Sequence, residues 1–239
     1  MLKDLNRTRL HTTGLSKPPV GPRPAGQARP GRDSVSVFPA SAPTGWWQRL
    51  PELVSARVRL RELRLSDAAA LTGALRSREV AEHLSPGPAT VAEIEAFISW
   101  ARRARREARY ICFGVIPCQA TDPVGIFQLW PLEPNFRTAE WGFALDPSCW
   151  GMGLFAEGAR LLLEFGFEGL GVARLEARAA VGNARGNRAL QKLGAVPEGL
   201  LRQCFMTDGE YQDHVLWALL AKDWRSARDS GTGVSGEVA

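Results

Sequence analysis

The stretch CWGMGLFAEGARLLLEF, residues 149–165, decides the fold, because two glycines precede a long amphipathic helix pattern. Gly151 and Gly153 lie where a predicted strand gives way to this helix, and a ligand can approach a backbone without side chains closely. The first helical turn has free N–H groups and the positive end of the helix dipole, so it favours an anion such as a pyrophosphate. Taken alone, the two glycines are equally consistent with a tight turn.

Strand and helix patterns alternate on both sides of this stretch. Strand patterns occur at RVRLREL (57–63), YICFGVIP (110–117), PVGIFQLW (123–130), TAEWGFALD (138–146) and ARLEARAA (173–180), and LRQCFM with YQDHVLWALL indicates a terminal hairpin. Helices are predicted after Ser66-Asp67, after Thr90 and near residues 184–193. The order β-α-α-β-β-β-α-β-α-β-β over residues 54–225 predicts one mixed α/β (α+β) domain.

Positive charge is concentrated at the beginning of the chain. Residues 1–50 carry eight Lys/Arg against Asp4 and Asp33, a net of +6, so the remaining 22 Lys/Arg and 23 Asp/Glu leave residues 51–239 at −1. The Pro/Gly-rich composition predicts a disordered basic arm over residues 1–45, anchored by Trp46 and Trp47, and a flexible tail over 229–239. The near-neutral body, residues 46–228, gives no reason to expect nucleic-acid binding.

Other compositional features exclude further classes. No apolar run reaches the roughly 18–20 residues of a membrane span, so we expect no membrane partner. The four cysteines form no C-x-x-C pair, which predicts reduced thiols, no metal site and a cytoplasmic protein. An Arg-rich face on the helix after Thr90 is interpreted as solvated; it comprises Arg102, Arg103, Arg105, Arg106 and Arg109.

Three segments together resemble the GNAT acetyltransferases, most closely the Rim-type branch that acetylates ribosomal-protein N-termini. They are AEWGFALDPSCWGMGLFAEGARLLLEFGF, RLEARAAVGNARGNRALQKLGA and EGLLRQCFMTDGEYQDHVLWALL, and the resemblance covers about residues 55–222. It implies a GNAT fold, in which helices flank a mixed, mostly antiparallel central sheet. It also implies acetyl-CoA as the co-substrate and a primary amine as the acceptor.

The resemblance also implies which residues bind acetyl-CoA. Backbone groups around Phe143–Leu145 pair with the pantetheine arm, and Asn183 contacts that arm, although an ordinary helix cap is the alternative for Asn183. Asn187 and Lys192 lie on the same helix, and Lys192 is a candidate for a nucleotide phosphate. The family loop Arg/Gln-x-x-Gly-x-Gly/Ala, which holds the pyrophosphate, corresponds to Trp150, Gly151, Met152, Gly153, Leu154 and Phe155. Trp150 and Phe155 depart from that pattern.

Glu140 is the candidate general base. It matches a Glu that is frequent on the central strand of the family, and its neighbours Trp141 and Phe143 provide an apolar setting that raises a carboxyl pKa toward neutrality. A structural carboxylate or a substrate anchor is the alternative for Glu140. Asp213 and His214 are alternative bases, although His214 is also consistent with a sheet residue facing away from Val215 and Trp217.

The general acid of the family has no equivalent in this sequence. Leu190 stands where many GNAT enzymes have a Tyr, and Gly186 stands where some Rim-type relatives have a Ser; neither can donate a proton. A non-catalytic acyl-CoA-binding module therefore remains an alternative to an N-acetyltransferase. A third alternative is a nucleic-acid binder that uses the basic arm. The acceptor is a protein N-terminus or a small-molecule amine, and either a monomer or a homodimer is consistent with the sequence.

Overall fold

A computed structural model describes residues 45–84, 90–133, 135–207 and 209–229. Apart from Gly45 and Asp229, the predicted arm and tail lie outside the described residues.

All the described strands form one eight-stranded sheet in the order β1-β2-β3-β4-β5-β6-β8-β7. Neighbouring strands are antiparallel except β5 and β6, which are parallel, so the mixed, mostly antiparallel GNAT-type sheet predicted from the sequence is confirmed. The strands are β1 (Leu53–Val54), β2 (Val58–Glu62), β3 (Ile111–Pro117), β4 (Gly125–Pro131), β5 (Thr138–Leu145), β6 (Arg174–Ala180), β7 (Val196–Thr207) and β8 (Glu210–Leu220).

Helices cover both faces of the sheet, and each face has its own apolar core. One core lies between the sheet and α4, and the other lies between the sheet and α1 and α3. The helices are α1 (Ala68–Leu75), α2 (Arg78–Ala81), α3 (Val91–Arg106), α4 (Leu154–Glu164), α5 (Ala184–Lys192) and α6 (Ala221–Asp229). The short β1 and α2 and the C-terminal α6 were not predicted from the sequence.

Helix α3 begins as predicted but differs on its basic face. Thr90 and Glu93 form a reciprocal capping box, which satisfies two backbone donors at the start of the helix. Arg105, however, is not solvated as predicted: it is 4% exposed, pairs with Glu62 and donates to the carbonyl of Trp47. Arg105 therefore ties the segment before β1 to the body of the protein.

Trp46 also holds that segment in place. Its indole is 1% exposed and makes an edge-to-face contact with Phe136, 5.6 Å between ring centroids. The packed core thus includes residues before the first strand, and Trp46 belongs to the core on the α4 side of the sheet.

Candidate active site

The parallel strands β5 and β6 separate after three residue pairs. Their ladder joins Thr138 to Arg174, Ala139 to Leu175 and Glu140 to Glu176, and the rest of β5 has no partner on this side. The two strands therefore diverge beyond Glu140 and leave a splay between them.

The backbone of β5 beyond Glu140 is directed into this splay. The Thr138 carbonyl and the Asp146 N–H bond toward the β4 side, whereas the Arg137 carbonyl accepts from Ala173 before β6. Because backbone N–H and C=O groups alternate in direction along a strand, those of odd-numbered residues such as Phe143 and Leu145 point into the splay. This arrangement leaves Phe143 with an N–H and a C=O for an extended ligand, whereas the Leu145 carbonyl accepts the Trp150 indole N–H at 2.9 Å.

Two of the glycines in residues 149–165 lie immediately before α4. Gly151 and Gly153 have φ of +77° and +78°, a left-handed conformation in which other residues are strained. Gly153 is the N-cap, and no side chain caps the helix. The first intrahelical bond comes from Glu157, so the N–H groups of Leu154, Phe155 and Ala156 have no partner within the helix. An anion such as a pyrophosphate fits this position.

Two flanking residues of this loop have side chains that pack inward. Leu154 is buried in the core, and the ring of Phe155 lies 4.6 Å from that of Phe143. Phe155 therefore covers the aromatic residues of β4 and β5. Met152 is exposed, and its carbonyl accepts a hydrogen bond from another part of the chain.

That donor is Arg57, which the sequence analysis missed. Its Nη1 donates to the Met152 carbonyl at 3.3 Å and lies 2.7 Å from where a Cβ on Gly153 would be. Glu157 fixes the arginine by an ion pair at 3.2 Å and accepts from Ser55 at 2.7 Å. The turn before β2 is thereby joined to the first turn of α4, and a cation is placed beside the candidate anion site.

A second arginine approaches from α5. The Arg185 guanidinium carbon lies 4.3 Å above the centre of the Trp150 ring, a cation–π contact. Trp150, which departs from the Arg/Gln of the family loop, thus connects the carbonyl of Leu145 to the start of α5.

The two asparagines of α5 both have structural partners. Asn183 accepts from the Gly186 N–H at 2.7 Å, which makes it the N-cap that was the alternative interpretation. Asn187 donates to the carbonyls of Ala180 and Asn183, and accepts from Trp217 at 2.8 Å. These bonds fasten α5 to β6 and β8. Contact of either side chain with acetyl-CoA stays a prediction.

Lys192 is the last residue of α5 and is exposed. Arg185, which marks the loop end of the helix, is seven residues away, a distance of about 10 Å along the helix axis. The structure therefore offers Arg57 and Arg185 as cations nearer the loop than Lys192.

Glu140 lies on the opposite face of the sheet from α4. Its neighbours Ala139 and Trp141 belong to the core on the α4 side, so the alternation of β5 directs Glu140 toward α1 and α3. The side chain is 0% exposed, and its Oε2 lies 3.2 Å from Nη1 of Arg178 on β6. Neither carboxylate oxygen has a donor in good hydrogen-bond geometry.

Burial has a direct consequence for the chemistry of Glu140. Desolvation raises its pKa from 4.5 to about 7; Arg178 opposes that rise, Glu176 adds to it, and the Trp130 indole opposes it. A carboxylate with a pKa near neutrality can accept a proton and release it again at physiological pH. Glu140 is therefore desolvated, but not by the predicted neighbours: the side chains of Trp141 and Phe143 lie on the α4 side of the sheet, opposite to Glu140.

The two alternative bases are on different faces of the sheet. His214 shares the face of Glu140 and is 3% exposed; desolvation, followed by Arg178 and His83, lowers its pKa to about 4. Asp213 is directed to the other face and accepts the Gln203 N–H at 2.7 Å. Asp213 is therefore not a base on the Glu140 face, and His214 is a much weaker base than Glu140.

The residues at the two positions where the family has a general acid, Leu190 and Gly186, have structural roles instead. Leu190 is 1% exposed within the core. A Cβ on Gly186 would lie 2.7–3.0 Å from the side-chain atoms of Asn183, so a serine here would displace the helix cap. Within the described residues, no group of three or more His, Cys, Asp or Glu side chains is arranged to hold a metal ion.

Comparison with known proteins shows the family. Residues 57–196, more than half of the chain, match the sequence profile of a domain described as "Acetyltransferase (GNAT) domain". The chain belongs to the GNAT acetyltransferase family. GNAT enzymes transfer an acetyl group from acetyl-CoA to an amine, and the described fold is theirs. In the described part of the chain, no helix combines the length and apolarity needed to cross a membrane.

The relatives of this GNAT protein match different shares of its chain, from 39% to 73%. The uncharacterized N-acetyltransferase YoaA of Bacillus subtilis is 28% identical over 173 residues, 71% of this chain and 97% of that protein. The ribosomal protein uS5-alanine N-acetyltransferase of Escherichia coli is 28% identical over 94 residues, 39% of this chain and 48% of that enzyme. The structure of Mycobacterium smegmatis RimJ in complex with CoA-disulfide has a TM-score of 0.60 and 22% identity, covering 73% of this chain and 89% of that chain.

Proposed function

We propose that this GNAT protein acetylates a primary amine by using Glu140 as the general base. The observation that carries the proposal is a fully buried carboxylate, with a pKa of about 7, at the residue where β5 and β6 begin to separate. Loss of the amine proton to Glu140 would expose the nitrogen lone pair that attacks the acetyl carbonyl. Of the two candidate bases on this face, His214 is the weaker, because its pKa is lowered to about 4.

The opposite end of the splay fits acetyl-CoA. When bound, acetyl-CoA supplies the acetyl group as a thioester. The backbone of Phe143 and the N–H of Leu145 would hold the pantetheine arm, with Asn183 nearby on α5. The N–H groups of Leu154, Phe155 and Ala156 would hold the pyrophosphate, with Arg57 beside them. The left-handed glycines support this assignment because they keep side chains away from the phosphate position.

A protein N-terminal α-amine is one acceptor class, and a small-molecule amine is the other. An unperturbed α-amine has a pKa of about 7.7–8.0 against about 10.4 for lysine, so a base with a pKa near 7 deprotonates it more easily. The Escherichia coli relative acts on the alanine of ribosomal protein uS5, which is consistent with the first class. We further propose a cytoplasmic location.

An acceptor screen tests the proposal. The full chain and its Glu140→Gln variant are incubated with acetyl-CoA and a panel of N-terminal peptides, amino acids, polyamines and aminoglycosides, and free-thiol release is measured. We expect release with at least one amine, and a loss of about 10²–10⁴ in kcat in the variant with little change in acetyl-CoA affinity. A variant that keeps the wild-type kcat would exclude Glu140 as the base.

Acetyl-CoA binding without turnover would contradict the proposed acetyltransferase activity. If calorimetry shows acetyl-CoA binding but no amine releases thiol, the chain is an acyl-CoA-binding module, which the packing of Leu190 and Gly186 would then explain.

A further inference from the structure

A row of charged side chains leads from Glu140 to the surface along β6. Arg178 Nη1 is 3.2 Å from Glu140, and its Nη2 is 4.0 Å from Glu176. Glu176 accepts from Arg174 at 2.9 Å, and Arg174 also pairs with Glu198 on β7. Side-chain alternation places Arg174, Glu176 and Arg178 on the same sheet face as Glu140, and the ladder puts Glu176 directly opposite Glu140.

Burial makes the ion pair between Glu140 and Arg178 important for the charge of Glu140. The side chains of Arg178 and Glu176 are 17% and 15% exposed, and Glu140 is not exposed at all. In such a setting an unpaired carboxylate would take up a proton, because the charged form loses its hydration. A general base must be ionised before it can accept a proton, so Glu140 needs a compensating positive charge.

The surrounding elements offer few other charges for this purpose. On β4, Trp130 is opposite Glu140 and uncharged. Tyr110 stacks on Trp130, and Cys112 is paired with Gln128 of β4; burial raises the pKa of both, so both are neutral. On β8, His214 is neutral because its pKa is lowered, and His83 after α2 also has a lowered pKa, with Glu82 beside it. Among the residues that the structure describes, Arg178 is the cation that forms an ion pair with Glu140.

We propose that Arg178 is a positioning residue for the reaction, whose guanidinium keeps Glu140 ionised and oriented toward the acceptor amine. Glu176 acts in the opposite sense: it draws on the same guanidinium and adds a like charge near Glu140. The two neighbours on β6 thereby shift, in opposite directions, the pH at which buried Glu140 becomes a base. This inference rests on the proposed role of Glu140.

The test measures the titration of Glu140 in the full-length protein. Glutamate labelled with ¹³C at the carboxyl carbon is followed by NMR over a pH series, and the Glu140 signal is assigned by its loss in Glu140→Gln. The variants are Arg178→Gln, Arg178→Lys and Glu176→Gln. The control is Arg103→Gln, which removes an exposed arginine on α3. Circular dichroism and melting temperature show whether each variant is folded.

The two neighbours should move the titration in opposite directions. We expect Arg178→Gln to raise the Glu140 midpoint by about 1–3 pH units, because an opposite charge at this distance lowers a carboxyl pKa by that amount. Arg178→Lys should restore much of the midpoint, Glu176→Gln should lower it, and Arg103→Gln should leave it unchanged. With the acceptor from the screen, the acidic limb of the kcat profile should move in the same directions.

The outcomes separate this inference from the proposed function. An unmoved midpoint in folded Arg178→Gln overturns the inference even if activity falls at every pH, since that pattern is a structural effect. If Glu140→Gln keeps the wild-type kcat, the base assignment fails, whereas the NMR midpoint still reports whether Arg178 controls the charge of Glu140.

Discussion

At the scale of single residues, Glu140 combines a catalytic requirement with a cost in stability. Its pKa is about 7 in the folded protein and about 4.5 when unfolded, so between these pH values only the folded state binds the proton. Protonation therefore stabilises the fold as pH falls through this window, and the stabilisation is lost as pH rises through 7. The ionised form of Glu140, which the reaction needs, therefore makes the fold less stable than the protonated form does.

A comparison of wild type with Glu140→Gln should show this linkage. We expect the free energy of unfolding of the wild type, relative to the variant, to increase by about 3 kcal/mol between pH 7 and pH 4.5, from a shift of about 2.5 units at 1.36 kcal/mol each. The lowered pKa of His214 works in the other direction between 6.5 and about 4, but it acts in both proteins. Urea denaturation across the pH series measures the difference, and a flat difference would contradict the raised pKa.

Gly186 provides a second test at this scale. A serine introduced there should not add a general acid, because its Cβ would displace the Asn183 carboxamide that caps α5. We expect Gly186→Ser to lower stability by about 0.5–2 kcal/mol, the value of an N-cap, and to leave kcat no higher. Gly182→Ser is the matched control, since a Cβ there meets nothing within 4 Å. Higher turnover in Gly186→Ser would show that the cap yields to a catalytic serine.

At the scale of elements, substitutions at the two glycines before α4 distinguish the effect of backbone strain from the effect of displacing Arg57. Gly151 and Gly153 have the same left-handed φ, but only a Cβ on Gly153 would collide with Arg57. Both Gly151→Ala and Gly153→Ala should therefore lose about 1–2 kcal/mol of stability from strain. Gly153→Ala, and more so Gly153→Asp, should also weaken acetyl-CoA binding. Calorimetry on the folded variants decides this, and equal affinities for wild type and Gly153→Asp would refute the loop assignment.

The contact between the turn before β2 and α4 leads to a related prediction for the proposed cofactor site. Arg57→Gln should weaken acetyl-CoA binding about tenfold, as expected for the loss of one charge-assisted hydrogen bond to a phosphate. Turnover with acetyl-pantetheine, which lacks the pyrophosphate, should be unchanged. Arg59→Gln is the control, because Arg59 lies two residues further along the chain, on β2, and pairs with Glu52. An equal loss with both acetyl donors would instead indicate that Arg57 only orders the loop.

At the scale of the whole molecule, Trp46 is the first described residue whose side chain is buried in the core. The composition of residues 1–44 predicts that they can be removed with little change in melting temperature or acetyl-CoA binding. A deletion that extends through Trp46 and Trp47 should cost about 3–5 kcal/mol, because it removes a fully buried indole from the core. Thermal unfolding of the two truncations measures the contrast. A large loss on removing residues 1–44 alone would show that this segment packs onto the body.

The sequence by itself determined the class of fold, the order of its main elements and the family. Local patterns carry this information: alternation in strands such as 138–146, the capping box at Thr90, and the glycines before α4. It also proposed Glu140 as the base, from the match to a family Glu and from the apolar strand around it, and that role stays a prediction. It could not decide whether Asp213 or His214 is the alternative base. The alternation of β8 puts the two side chains on opposite faces of the sheet, but it does not show which of them lies on the face of Glu140.

Only the tertiary structure decided which groups meet. Arg57 reaches the Met152 carbonyl across 95 positions of sequence, and Arg178 meets Glu140 because β6 pairs with β5 in one particular register. The structure also showed that Arg105 is buried rather than solvated, and that the polar atoms of Asn187 bond within the fold. The physical reason is that local periodicity encodes the type of an element and its buried face. Strand order and register, which arise from packing of the whole chain, determine its partners.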